Sequence, residues 1–130
     1  MFKDVSKFIG IPFVNGGRDF NGCDCWGLVK LVYKEMYNID LPDYKISCFA
    51  GREINDEIRK AMKVWKNLKE PQEPCVVIMS ISNNPCFINH CGVYIGNGMF
   101  LHSILKQNSH LDRLDHPFWR NKIKGFYAYV

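Results

Sequence analysis

The apolar residues of this 130-residue chain change their period partway along. That change constrains the fold more than any other feature. In the first half they recur helically. Cys25, Leu28, Val29, Val32 and Met36 stand at i, i+3, i+4, i+7 and i+11, one face of a helix. Asp24 sits where an N-cap belongs, and Asn38 with Pro42 supplies a stop. A second stripe, Ile54, Ile58, Ala61, Met62, Trp65 and Leu68, predicts another helix. Asn55 would cap it, with Asp56 and Glu57 in the first turn, where the helix dipole favours acids. Arg59, Lys60, Lys63 and Lys66 lie largely off that stripe and read as a solvated face. The stretch from Pro71 to Pro74 is a connector, and the runs beyond it are short and β-rich. Cys75 to Ile81 is one strand. His90 to Ile95 and Met99 to Ser103 flank Gly96-Asn97-Gly98, a hairpin signal, and Lys122 to Val130 is the last strand. Helices first and an antiparallel sheet afterwards predict an α+β fold, and the length suits a single domain over residues 1–130.

Composition narrows the class. Hydrophobic residues make up 47% and charged residues 23%, which is globular rather than disordered. The net charge of +4 suits contact with an anionic polymer, but the basic residues are scattered and no recognition motif appears, so no nucleic-acid partner is expected. No apolar run approaches the roughly 18 residues of a membrane span, so no membrane insertion is expected. Met1 to Gly10 carries Lys3, Asp4 and Lys7 and no signal-like apolar run, which predicts synthesis and folding in a cytoplasm.

Six cysteines, at 23, 25, 48, 75, 86 and 91, are many for this length. Without a signal peptide a disulfide framework is not expected. No C-x-x-C pair marks a structural zinc site, so the reading commits to no metal, although Cys23, Cys25, His90 and Cys91 leave a zinc or redox protein as an alternative. Most of the thiols read as small core hydrophobes.

Cys25 stands apart because it falls in the first turn of the predicted helix. Backbone N–H groups there lack intrahelical partners, and the dipole adds partial positive charge. A thiolate is stabilised at such a place, although the same position also begins an ordinary buried stripe. A nucleophilic thiol needs a base. His110 and His116 lie in polar, loop-like stretches and read as surface residues. His90 and His102 lie on the two hairpin strands. Their relation depends on the loop. If it spans residues 96–98, Ile95 opposes Met99, His102 opposes Gly92, and the two histidines share a face, diagonal to one another at roughly 7–8 Å. If it is only Asn97-Gly98, they point to opposite faces. The three-residue loop is expected, because Gly92 opposite His102 leaves room for an imidazole. A helix-terminal cysteine above two such rings has the base-plus-orienter logic of cysteine hydrolases.

These residues resemble a family. Gly10-Ile11-Pro12-Phe13 with Gly16-Gly17, Asp24-Cys25-Trp26-Gly27-Leu28-Val29, Leu41-Pro42, His90-Cys91-Gly92-Val93-Tyr94-Ile95-Gly96 and Phe100-Leu101-His102 occur in the order found in NlpC-type cell-wall cysteine peptidases. The likeness runs from about Gly10 to Val130. Gly17-Arg18-Asp19 and Trp119-Arg120 are similar to the compact versions encoded in tailed phages and prophages. The resemblance implies a papain-like arrangement of N-terminal helices packed on a C-terminal antiparallel sheet. It implies Cys25 as nucleophile, His90 as general base and His102 as its orienting residue. The implied reaction is cleavage of the γ-D-glutamyl–diamino acid amide of peptidoglycan stem peptides, with no metal or organic cofactor. Other phage tail proteins are the implied partners, and the virion tail acting at the cell wall is the implied location.

Two departures from the family pattern affect substrate handling. Many relatives have a tyrosine at the place of Phe13, and its hydroxyl serves the oxyanion hole. Phe13 cannot donate, and one lost donor costs about 10²–10³ in rate. Trp26 stands where relatives carry a serine that, with the preceding aspartate, contacts a free stem-peptide amine. Asp24 retains half of that pair, so Asp24, Trp26 and Phe13 are the expected substrate contacts. The alternatives are an acyltransferase on the same fold and a structural tail-assembly protein with a weak or vestigial site.

Overall fold

Asp24 begins the first helix as its sequence position predicts. Its side chain accepts a hydrogen bond from the Gly27 N–H at 2.8 Å, satisfying one of the orphan donors of the first turn. The helix, α1 (Cys25–Tyr37), ends on Asn38, which adopts a left-handed φ of 56°. Leu28, Val29 and Val32 are wholly buried along its inner face. The computed structural model describes residues 4–44, 51–82, 84 and 86–129; Cys48 lies outside them. Before α1 come a 3-10 turn at Ser6–Phe8 and a two-stranded ribbon, β1 (Arg18–Asp19) and β2 (Gly22–Cys23).

The second helix departs from expectation at both ends. α2 (Gly51–Val64) is already helical ahead of Asn55. Asn55 is therefore no N-cap, and its side chain instead accepts from the Ile88 N–H at 2.9 Å. The apolar stripe also overruns the helix. Trp65 and Leu68 fall beyond it, and β3 (Lys66–Leu68) pairs antiparallel with the last strand, β8 (Ile123–Ala128). Long-range pairing, with Trp65 buried against Trp26 and Tyr129, overrides a local helical pattern here.

β4 (Cys75–Met79), β5 (His90–Tyr94), β6 (Met99–His102) and β7 (His110–Arg113) complete a six-stranded sheet of order β3-β8-β4-β5-β6-β7. Every pairing in it is antiparallel, and the α+β expectation holds. β7 replaces the loop expected around His110 and pairs along its length with β6, placing His110 opposite His102. The hairpin has the three-residue loop: Val93 pairs with Leu101 and Tyr94 with Phe100. Gly96, Asn97 and Gly98 all take left-handed φ values in that turn. The register sets Gly92 beside His102. A Cβ on Gly92 would lie 2.8 Å from the Leu101 carbonyl oxygen and 3.1 Å from the His102 Cβ.

The sheet is buried on both faces. Alternation sends Val76, Ile78, Cys91, Val93 and Leu101 to the core shared with α1, and Val77, Met79 and Phe100 to a second core closed by Trp119. Among the described residues no helix is long and apolar enough to cross a membrane.

Gly27 shows how tightly the loop before α1 is held. A Cβ there would sit 1.9 Å from the Gly17 carbonyl oxygen and 3.1 Å from the Arg18 guanidinium. The Gly17 backbone cannot yield cheaply, so Gly27→Ala is expected to cost at least the upper end of the about 1–3 kcal/mol typical of overpacking. An unchanged denaturation midpoint in urea would refute this close approach.

Candidate active site

Cys25 opens α1. Its approach is fixed by Asp24, only 5% exposed, whose carboxylate accepts from the Gly27 N–H at 2.8 Å, the Gly16 N–H at 2.9 Å and the Arg18 guanidinium at 2.7 Å. Arg18 also donates to Asp43 at 2.8 Å and to the Tyr44 carbonyl at 3.1 Å, strapping the loop to the segment after α1. A carboxylate next to a thiolate needs a cation to offset it. Arg18 of this chain supplies one. Asp24 thus caps the helix and anchors the loop.

The Cys25 thiol interacts with two side chains, Cys91 and His90. Cys91 reaches it from the helix-facing side of β5. His90 meets it at the first residue of that strand, where the sheet ends. The Cys91 S–H foremost, and then the imidazole, hold the Cys25 pKa well below that of an ordinary thiol, against the opposing effect of burial. The Cys91 thiol is held up by its contact with Cys25 and by burial, so of the two sulfurs Cys25 gives up its proton more readily. Cys23 is pushed up to about 12 and Cys75 to about 11, in both cases by burial first. Cys23 is turned toward the Asp19 carbonyl at 3.1 Å, away from the four-residue zinc or redox grouping that the sequence left open.

The two histidines share one face, as the loop parity predicts. The His90 Nε2 and the His102 Nδ1 are 2.8 Å apart. His102 is fully buried, and burial, followed by the neighbouring His90 and His110 rings, pushes its pKa down to about 2. It is a neutral ring throughout the working range. The face is the one turned away from α1, so only His90, at the end of its strand, is reached by the thiol. Trp119 covers the pair, stacking on His90 at 6.2 Å and meeting His102 edge-on at 4.6 Å. Beyond His102 the chain of contacts continues: its Nε2 lies 2.7 Å from Asp112 Oδ2, and His110 Nε2 lies 3.0 Å from the same oxygen. The donor atoms of His102, His110 and Asp112 all lie within 4.8 Å of one another, a spacing that could hold a metal ion.

A cavity of about 290 Å³ opens beside the thiol. Phe13, Trp26, Ile58, Met62, Ile78 and Tyr127 supply much of its largely apolar wall. The Trp26 indole donates to the Pro42 carbonyl at 3.0 Å and packs on Tyr44, which fixes it as a wall of this cavity. Phe13 is held beside Cys25 by a backbone bridge to Cys23.

The sequence brings Cys25, His90 and His102 together; it offers Cys91 only in the zinc or redox alternative, presents His110 as a surface residue and does not single out Asp112. The run His110–Arg113 carries one apolar residue, Leu111, followed by two charged ones, so no alternation marks it as a strand.

A limiting dose of iodoacetamide at about pH 6.5 is expected to label Cys25 ahead of the other five cysteines, because only its thiolate is stabilised among the described thiols. Peptide mapping reads the order. Earlier labelling of exposed Cys86 would contradict it.

Comparison with known proteins adds to this geometry. The NlpC/P60 family pattern matches residues 10–127. The chain is 27% identical over 128 residues to "Gamma-DL-glutamyl hydrolase" of Bacillus subtilis, covering 95% of this chain and 27% of that protein. It is 23% identical over 113 residues to "Murein DD-endopeptidase MepS/Murein LD-carboxypeptidase" of Escherichia coli, covering 87% of this chain and 53% of that one. The chain thus spans about half or less of the length of these relatives. Among solved structures, the NlpC/p60 domain of the peptidoglycan hydrolase SagA superposes with a TM-score of 0.62 at 16% identity, covering 95% of this chain and 91% of that one. An NlpC/P60 family protein from Bacillus cereus superposes with a TM-score of 0.65 at 22% identity, covering 95% of this chain and 37% of that one.

Proposed function

The chain belongs to the NlpC/P60 family, and from that premise we propose that it is a cysteine peptidase hydrolysing the γ-D-glutamyl–diamino acid amide of peptidoglycan stem peptides. The observation that carries the proposal is the contact from Cys25 and His90, on the wall of an open cavity, to the buried His102 behind them. The names of the relatives, a γ-glutamyl hydrolase and murein peptidases, support the substrate class.

In this reading His90 takes the Cys25 proton and the thiolate attacks the scissile carbonyl carbon. The developing oxyanion is met by the backbone N–H at the start of α1, with no hydroxyl from Phe13. The imidazolium returns its proton to the leaving amine, which leaves a thioester on Cys25. His90 then deprotonates water, which attacks the thioester and releases the glutamyl carboxylate and the free thiol. His102 stays neutral and orients His90. Trp26 and Phe13 act as apolar walls for the stem peptide.

A finer assignment is to the tail-associated members of phages and prophages, synthesised in a cytoplasm and acting at the cell wall beside other tail proteins. Gly17-Arg18-Asp19 and Trp119-Arg120 support it. Incubation of the purified protein with defined muropeptides, read by mass spectrometry, tests the activity. Products split between D-glutamate and the diamino acid are expected; intact muropeptides would sink the reading.

A further inference from the structure

The catalytic contacts do not end at the second histidine. His90 is useful as a base only if the nitrogen facing Cys25 is free of a proton. Its Nε2 faces His102 Nδ1 at 2.8 Å, so one proton must lie between those two nitrogens. If His90 supplies it, Nδ1 of His90 is left free to face the thiol. If His102 supplies it, the neutral His90 carries its own proton on Nδ1, and the base is blocked. Both arrangements satisfy that one bond. What separates them is the far side of His102, where Nε2 lies 2.7 Å from Asp112 Oδ2. An ionised carboxylate only accepts, so it requires the His102 proton on Nε2 and leaves His102 Nδ1 as an acceptor.

We propose that Asp112 is a positioning residue, acting through His102 to fix the tautomer of His90 that can take the Cys25 proton. The proposal rests on the peptidase reading above for its effect on rate, but not for its effect on the rings. His110 braces the carboxylate. Its Nε2 lies 3.0 Å from the same Asp112 oxygen, and its Nδ1 donates to the Asn108 carbonyl at 2.9 Å. Both nitrogens of His110 therefore face oxygen acceptors, which fixes its ring against the carboxylate. Trp119 and Phe100 pack against His102, which is fully buried, so water does not compete for its Nε2–H. The mutual bonds also account for the metal-like spacing of His102, His110 and Asp112 without an ion.

The experiment pairs spectroscopy with kinetics. In long-range ¹H–¹⁵N spectra at neutral pH, wild-type His102 is expected to carry its proton on Nε2. Asp112→Leu keeps the volume and removes the acceptor. It is expected to shift His102 toward the Nδ1–H form and to lower kcat by about 10–100-fold, the usual cost of losing a supporting hydrogen bond to a functional imidazole, with KM unchanged. Asp112→Asn retains an oxygen acceptor and is expected to restore the Nε2–H form with an intermediate kcat. A lost kcat with the Nε2–H form intact in Asp112→Leu marks a structural role and overturns the proposal. So does an Asp112→Asn spectrum like that of Asp112→Leu. A wild-type protein that cuts no stem peptide overturns the peptidase reading, while the spectra still decide the role of Asp112.

Discussion

Cys25→Ala is expected to abolish muropeptide cleavage, with a fall in rate of at least about 10⁴-fold. The reasoning is chemical rather than structural. Cys25 is partly exposed at a helix start, and alanine is a good helix former there, so the fold should survive the change. What disappears is the atom that forms the thioester. The oxyanion donors and cavity walls remain, and they alone leave only a small residual rate. Liquid chromatography of a timed muropeptide digest, with circular dichroism as a control for folding, measures it. A variant retaining a tenth of wild-type activity would mean that the thiol is not the nucleophile.

His90→Gln is expected to be the second most damaging change, lowering kcat at least about 10³-fold, within the range assigned to general acid–base groups. It also has a consequence that needs no substrate. The imidazole is one of the groups holding the Cys25 pKa down, second to the Cys91 thiol among those that lower it. Without it the pKa rises, so at a pH below that of an ordinary thiol a smaller fraction of Cys25 is ionised. Iodoacetamide labelling of Cys25 at about pH 6.5 should therefore slow, and should recover as the pH is raised. Equal labelling rates in the two proteins at both pH values would separate His90 from the thiol. His102 adds no limb to the pH profile, because its neutral form persists down to about pH 2.

The histidine pair was legible in the sequence because hairpin parity is a local property. With a loop of residues 96–98, the faces of His90 and His102 follow. Asp24 and Asn38 bounded α1 for the same reason, since caps are decided within a turn. What was not legible depends on contacts between distant segments. Asn55 has the chemistry of a cap but is engaged by Ile88, 33 residues later. Trp65 and Leu68 continue a helical stripe, yet β8 captures the chain as β3. Arg18 could not be matched to Asp24 before the loop was seen to fold against Gly27. Cys91 looked like core because its strand alternates correctly, and it is core; only the packing of α1 on β5 shows that its sulfur also touches the nucleophile.

The sheet is not built in the order in which the chain is made. A ribosome delivers β3 and β4 early, but the strand that lies between them, β8, is the last to emerge. Until residues 123–128 have cleared the exit tunnel, β3 has no neighbour and β4 keeps one open edge. β4 is also the support on which β5 is laid, and β5 carries His90. The nascent domain therefore holds its imidazole on a sheet whose edge at β4 is still open. Emergence of residues 123–128 becomes the event that closes the sheet, and a chain stopped short of Ile123 is expected to be released with β3 unpaired and β4 open at one edge.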